Sequence, residues 1–370
     1  MFGKTINLKK TTIILYLIFA LSWNTISQNN KFVNINSVGI GLNRNLIIPH
    51  DDTLKPITSN SINHFELLLT RQTNGEKDWH SFIKYPEVGI VIKALDFNNP
   101  EVLGHSLGAL PFLNIKLGSY SKFNTSIRIG VGLAYLSKKY NQLSNPLNVA
   151  ISSSLNLIGD MNLTIGYPIT ERIIMNLNFN ALHLSNGSVK KPNYGLNLIG
   201  VGIGVNYTIN KQNPVNSIPI EQRLSNSFYW ISLAGGFKEV GDAGGPLYYP
   251  ITSQFSYIKP LYHYIQLGAS IDLIYDKSAR FHIRKAGNTY NPPKDDFSAG
   301  VSSRIQISLN KTCFYGELGI YLYKPNPRFP IIYQRLGFNY QLSRFLYYFM
   351  ALKTHGNRAD HIDIGLAVKL

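Results

Sequence analysis

The sequence predicts an all-β fold: an antiparallel transmembrane outer-membrane β-barrel of about 14–16 strands. Three observations predict it. Apolar and polar residues alternate with a period of two from end to end, and helical periodicity is scarce. The alternating runs are about ten residues long and end in turn-formers, which suits a tilted strand crossing a bilayer. The composition, with 23 Tyr, 19 Phe and 30 Gly against 15% charged residues, fits a sheet with aromatic belts better than a soluble enzyme.

The elements follow in order. Lys4, Lys9 and Lys10 precede the apolar run "TTIILYLIFALSW" and the small polar residues of "NTISQ", the arrangement of a signal peptide over residues 1–27 with the mature chain starting near Gln28. The apolar run is shorter than the ~20 residues a spanning helix wants. Residues 28–370 then read as a single β-barrel, 28–209 forming one half and 227–370 supplying additional strands that close it. In "TSIRIGVGLAYLS", Ile127, Ile129, Val131, Leu133 and Tyr135 share one face, while Arg128, Gly130, Gly132 and Ala134 share the other. "YIQLGASIDLIY", "SSRIQISL" and "CFYGELGIYLY" alternate in the same way. The second face is rich in Gly, Asn, Ser and Arg, as a polar interior requires. Alternation is least regular across Asn148–Tyr167. "NKQNPVNSIPIEQRLSN" (Asn210–Asn226) is linker-like, with two prolines and many amides. The last strand sets Ile362, Ile364, Leu366, Val368 and Leu370 on one face. Trp79, His80 and Trp230 read as membrane-interface aromatics.

Several function classes fall away. Cys313 is the only cysteine, so no intrachain disulfide forms. No Cys or His cluster has metal-ligand spacing, and no metal or cofactor is expected. The formal charge of +16 becomes +13 without the three leader lysines. With no arginine-rich stripe or nucleic-acid motif, the expected partner of this basic surface is anionic lipid rather than nucleic acid.

One stretch carries candidate chemistry: "ALHLSNGSVKKPNYGLN", Ala181–Asn197. By parity His183 and Ser185 continue the apolar face of Met175, Leu177, Phe179 and Ala181, while Asn176, Asn178 and Asn180 face the interior. Asn197 lies on the apolar face of the next strand. Pairing about Lys191 sets Ser185 opposite Asn197, about 5 Å away. A nucleophile, a base and an orienter then meet on a surface facing hydrocarbon, where polar groups are costly unless the substrate is itself in the lipid. His355, His361 and Asp363 form a second polar set, but Asp363 faces the interior, which points to a structural network.

"HLSNG" followed by Pro192, Asn193 and Gly195 resembles the motif of the outer-membrane lipid A 3-O-deacylase family, over roughly Phe32 to Thr208. The same residues, with Asn197 twelve positions after Ser185, also resemble outer-membrane phospholipase A; the deacylase family has glutamate at that position. "PIIYQRLGFNY" and "LKTHGNRADHIDIGLAVKL" resemble features of longer deacylase-related barrels. The resemblance implies serine ester hydrolysis at the outer membrane of a Gram-negative bacterium. Ser185 would be the nucleophile, His183 the general base and Asn197 its orienting partner. Asn186 and Gly187 would form the oxyanion hole, and Lys190 and Lys191 would meet substrate phosphates. Ser188 stands where the deacylase pattern often has a further glycine. The substrate implied is lipid A of lipopolysaccharide, the alternative a phospholipid. A non-catalytic pore or scaffold is the reading from another class.

Overall fold

The computed structural model describes residues 35–58, 61–210 and 226–370. The expected signal peptide and most of the linker lie outside the described residues. Eight strands come first: β1 (Ser37–Ile47), β2 (Ser61–Gln72), β3 (Glu87–Asn99), β4 (Gly104–Tyr120), β5 (Phe123–Leu136), β6 (Leu155–Pro168), β7 (Ile173–Ser185) and β8 (Leu196–Thr208). Nine follow: β9 (Phe228–Glu239), the two-residue β10 (Leu247–Tyr248), β11 (Ile251–Tyr262), β12 (Ile265–Tyr275), β13 (Phe297–Leu309), β14 (Thr312–Tyr323), β15 (Ile332–Gln341), β16 (Leu346–His355) and β17 (Arg358–Lys369).

All-β antiparallel barrel is the observed class, but the single ring is corrected to two. β8 returns to β1, with Ser37 opposite Thr208 and Ile47 opposite Leu198. Independently, β17 returns to β9, with Ile362 opposite Phe237 and Lys369 opposite Trp230. Each ring holds eight long strands and abolishes its own edges. Alternation along a strand is the same whichever neighbour closes the ring, so the sequence pattern is silent on this point.

Eight-stranded rings are just wide enough for side chains to fill them. In the first ring Lys93 Nζ lies 2.8 Å from Glu66 and 3.2 Å from Asp160. Arg128 binds the same two carboxylates at 2.7 and 3.0 Å. Asn176, Asn178 and Asn180 are buried inward as parity requires, with Asn180 donating to Asn43 at 3.2 Å. Further along β7 the same inward face turns apolar: Leu182 and Leu184 pack with Ile47, Leu54, Ile151 and Leu196 into a hydrophobic plug under the loops. Filled interiors of this kind leave no room for the water column a single sixteen-strand ring encloses.

The outward faces are apolar, with Leu42, Val131, Ile203, Ile271 and Leu318 all more than half exposed. Trp230 is a correction: it is buried inside the second ring, 4.7 Å from the Tyr347 ring. Trp79 stands edge-on to a buried His80 in the β2–β3 connection. Asp363 and His361 are buried inward, 3.1 Å apart, and His355 pairs with Tyr321 at 3.0 Å, so the C-terminal polar set is part of the interior network.

Apart from the longer β2–β3 connection of the first ring, each ring has one end of short turns, such as Asn310–Lys311 between Leu309 and Thr312, and one of longer loops. The longer loops of such barrels face outward from the cell. Between the rings, Phe82 meets Tyr264 at 4.8 Å between ring centroids, and the β7–β8 loop meets the ends of β9 and β17.

Candidate active site

β7 delivers His183 and Ser185 to the loop end of the first ring. His183 is exposed on the outward face; Ser185, two residues on, is buried beneath the loop. The register differs by two residues from the expected one, so the faces are kept. His183, not Ser185, stands opposite Asn197, and Leu184 stands opposite Leu196. The loop is therefore centred on Lys190 rather than Lys191. This brings the base and its orienter into direct contact, with His183 Nδ1 2.6 Å from Asn197 Oδ1.

His50, which no sequence motif singles out, completes the row. The Asn197 amide nitrogen donates to His50 Nδ1 at 3.0 Å, and Ile48 N–H bonds the Asn197 carbonyl at 2.8 Å, docking the β1–β2 loop against β8. An amide nitrogen can only donate. With it committed to His50, Asn197 Oδ1 accepts from His183 Nδ1–H, and the lone pair of His183 is left on Nε2. That is the tautomer a general base needs.

Ser185 Oγ accepts from Gly187 N–H at 3.0 Å and from the Asn193 amide at 3.3 Å. Among the described residues no hydrogen bond joins it to His183. The two side chains instead flank Gly195, whose φ is +78°. A Cβ there would lie 3.1 Å from His183 Cε1 and 3.4 Å from Ser185 Cβ, so glycine keeps open the gap between base and nucleophile.

The expected oxyanion pair is half corrected. Gly187 N–H donates to Ser185 Oγ. The Asn186 side chain does not: its amide donates to Ser152 Oγ at 3.1 Å and to the Lys190 carbonyl at 3.0 Å, which uses both hydrogens to fold the loop. Asn193 stands in its place as the side-chain donor near Ser185. Its Oδ1 also accepts from Asn186 N–H at 3.1 Å, so one residue braces the loop and faces the nucleophile.

The second ring holds this loop. Glu239 at the end of β9 accepts from Lys191 N–H at 2.9 Å, and its own N–H reaches the Ser188 carbonyl at 3.4 Å. Ile362 of β17 lies where a Cβ on Gly187 would stand, 2.6 Å away, and Gly187 has φ +65°. Ser188 takes φ +72°, the left-handed conformation that glycine adopts most freely. The departure from the deacylase pattern therefore keeps the backbone shape, supported by the Glu239 contact. Lys190 is exposed. Lys191 is half-buried, and burial and the charge of Arg328 bring its pKa down to about 8.

Filled antiparallel rings with an apolar outer belt and longer loops at one end define an outer-membrane β-barrel. Residues 63–206 match the family model of lipid A 3-O-deacylase (PagL), and residues 227–370 match that of the acyloxyacyl hydrolase C-terminal domain. The first ring thus carries the lipid A 3-O-deacylase match and the second the acyloxyacyl hydrolase C-terminal-domain match. Among solved structures, the outer membrane enzyme PagL is 15% identical over 47% of this chain and 99% of its own, with a TM-score of 0.32. A mutant of Rh. blastica porin is 11% identical over 91% of this chain and 99% of its own, with a TM-score of 0.19. No curated protein matches the chain.

Proposed function

We propose that the chain is an outer-membrane serine esterase that hydrolyses an ester-linked acyl chain of lipid A. The observation that carries the reading is the His183–Asn197 contact at 2.6 Å on the lipid side of the barrel, next to Ser185, in the ring that carries the deacylase match. Ser185 Oγ attacks the acyl carbonyl while His183 Nε2 takes the hydroxyl proton. The negative charge that develops on the carbonyl oxygen is met by Gly187 N–H and the Asn193 amide. His183 then protonates the departing sugar hydroxyl, and water, activated by the same histidine, releases the fatty acid from Ser185. Asn197 orients the imidazole as the family's glutamate would, but as a neutral amide it stabilises imidazolium less.

The acyl chain has a seat in this reading. Gly159 of β6 stands opposite His183, and nothing lies within 4 Å of the point where its side chain would begin. On the outward face the notch lies between Leu157 and Met161. Gly159→Trp is expected to fill it and lower kcat/KM about tenfold or more, with the ring still folded, in initial-rate assays. An unchanged kcat/KM would place the chain elsewhere.

His50→Leu tests the orienting row. Losing one hydrogen bond worth about 0.5–1.5 kcal/mol frees the Asn197 amide to turn, so kcat is expected to fall about three- to tenfold with KM held. His50→Gln, whose oxygen can accept, should recover most of the rate. Equal loss in both variants would argue against the role.

The amide at Asn197 favours phospholipid as a second reading, since it matches the phospholipase motif. Mass spectrometry of lipid A and of released fatty acid, with and without the protein, decides between them. Lipid A that stays intact while phospholipid is cleaved would overturn the deacylase reading.

A further inference from the structure

The loop end of the second ring contains a cavity of about 430 Å³, lined by Asp242, Phe281, His282, Lys285 and Arg328, with Asp242 exposed. Among the described residues neither Arg328 nor Lys285 has a carboxylate within 4.0 Å. Arg328 Nη1 lies 3.3 Å from His282 Nε2. Burial and the charge of Arg328 lower the His282 pKa to about 4, so this ring is a neutral acceptor and leaves the guanidinium charge unspent. The cavity is continuous in chain with the catalytic loop: Glu239, which binds Lys191 N–H, is two residues before Gly241. The Lys191 ammonium makes no ion pair within 4.0 Å among the described residues, although the charges of Asp360 and Glu239 act on it. Cations held near one another without a counter-ion are what an anion site looks like when empty.

We propose that this cavity binds the phosphate-bearing headgroup of the ester substrate, a phosphomonoester on a glycolipid held by Arg328, Lys285 and Lys191. The proposal rests on the deacylase reading and gives the second ring a task in it, since the headgroup held there sets which ester reaches Ser185. Residue types fit the ligand: a guanidinium fork and an ammonium suit phosphate oxygens, and Phe281 gives the sugar a flat apolar wall. A bound phosphate would raise the Lys191 pKa from about 8, because it relieves the repulsion from Arg328. The groups that face Lys191 are Arg328 and Lys238, which lower its pKa, and Asp360 and Glu239, which raise it. On the Lys191 side binding therefore takes up a proton and weakens as pH rises through about 8. Below about pH 6 the phosphomonoester takes up its own second proton, so binding is strongest between the two.

The test uses the full chain with Ser185→Ala in detergent, so that headgroup binding is read without turnover. Lipid A bearing its phosphates is compared by calorimetry with the same lipid A after enzymatic dephosphorylation. The phosphorylated form is expected to bind about tenfold tighter or more, as charge-assisted contacts imply. Arg328→Gln with Lys285→Gln is expected to erase that difference, and Lys191→Arg to remove the loss of affinity above pH 8. A preference that survives the double substitution overturns the proposal, as does inorganic phosphate at millimolar concentration binding alone and displacing the lipid. Folding of each variant is checked by heat-dependent gel mobility. If wild-type protein releases no acyl chain yet the phosphate preference depends on Arg328 and Lys285, the esterase reading fails and the headgroup site stands.

Discussion

Ser185→Ala is expected to lower acyl release from lipid A by about 10⁴–10⁶-fold, the scale on which other serine hydrolases respond to loss of the nucleophile. The substitution removes the atom that forms the acyl-enzyme bond and leaves the Gly187 and Asn193 donors in place, so only residual transition-state stabilisation remains. The change is small in the folded state. It deletes one buried oxygen that accepts two hydrogen bonds, at a cost of about 1–3 kcal/mol for the donors left unpaired. Activity and folding should therefore separate. The readout is the mass of lipid A after incubation with membranes carrying either protein, beside gel mobility before and after boiling. A Ser185→Ala barrel that still shifts the lipid A mass sinks the serine mechanism.

Local pattern carried the strands, and distance in the chain hid the rest. Parity put Arg128 and Asn178 inward and Ile129 and Phe179 outward, because a two-residue period permits no other arrangement once one face is buried. Ring closure is a pairing between residues such as Ser37 and Thr208, and no period along a strand encodes it. The register at the site shifted by two residues because it depends on the shape of the ten-residue loop from Asn186 to Gly195. Asn186 braces that loop from within, an arrangement that an Asn-Gly pair read as a turn does not specify. His50 is 147 positions from Asn197, in a loop without motif, and only the β1–β8 closure brings the two together. Glu239 and Ile362 were out of reach for the same reason: they act on the catalytic loop from a ring not expected to be separate.

Arg335→Met is expected to destabilise the second ring by about 3–5 kcal/mol, the range for removing one member of a buried ionic cluster. Arg335 is 2% exposed. One of its nitrogens lies 3.0 Å from Asp272 and 3.1 Å from Glu317, and another lies 3.8 Å from Asp363. Glu317 keeps Arg304 at 2.6 Å, and Asp363 keeps His361 at 3.1 Å, but among the described residues Asp272 is left with only the Tyr333 hydroxyl. Methionine fills much of the volume, so the loss measures charge rather than a cavity. Arg335→Lys should cost less, since it keeps the charge and gives up the fork. Trp230, buried in this ring, reports its unfolding in urea when Trp23 and Trp79 are replaced by Phe. Its midpoint should fall sharply for Arg335→Met, while a probe in the first ring, which closes through β1 and β8, should move little. A common shift of both transitions would mean that the rings unfold as one. If they separate, acyl release measured across the same urea series should follow the Trp230 transition. The loop bearing Gly187 and Lys191 is held by Glu239 and Ile362, and it loses that support when the second ring opens.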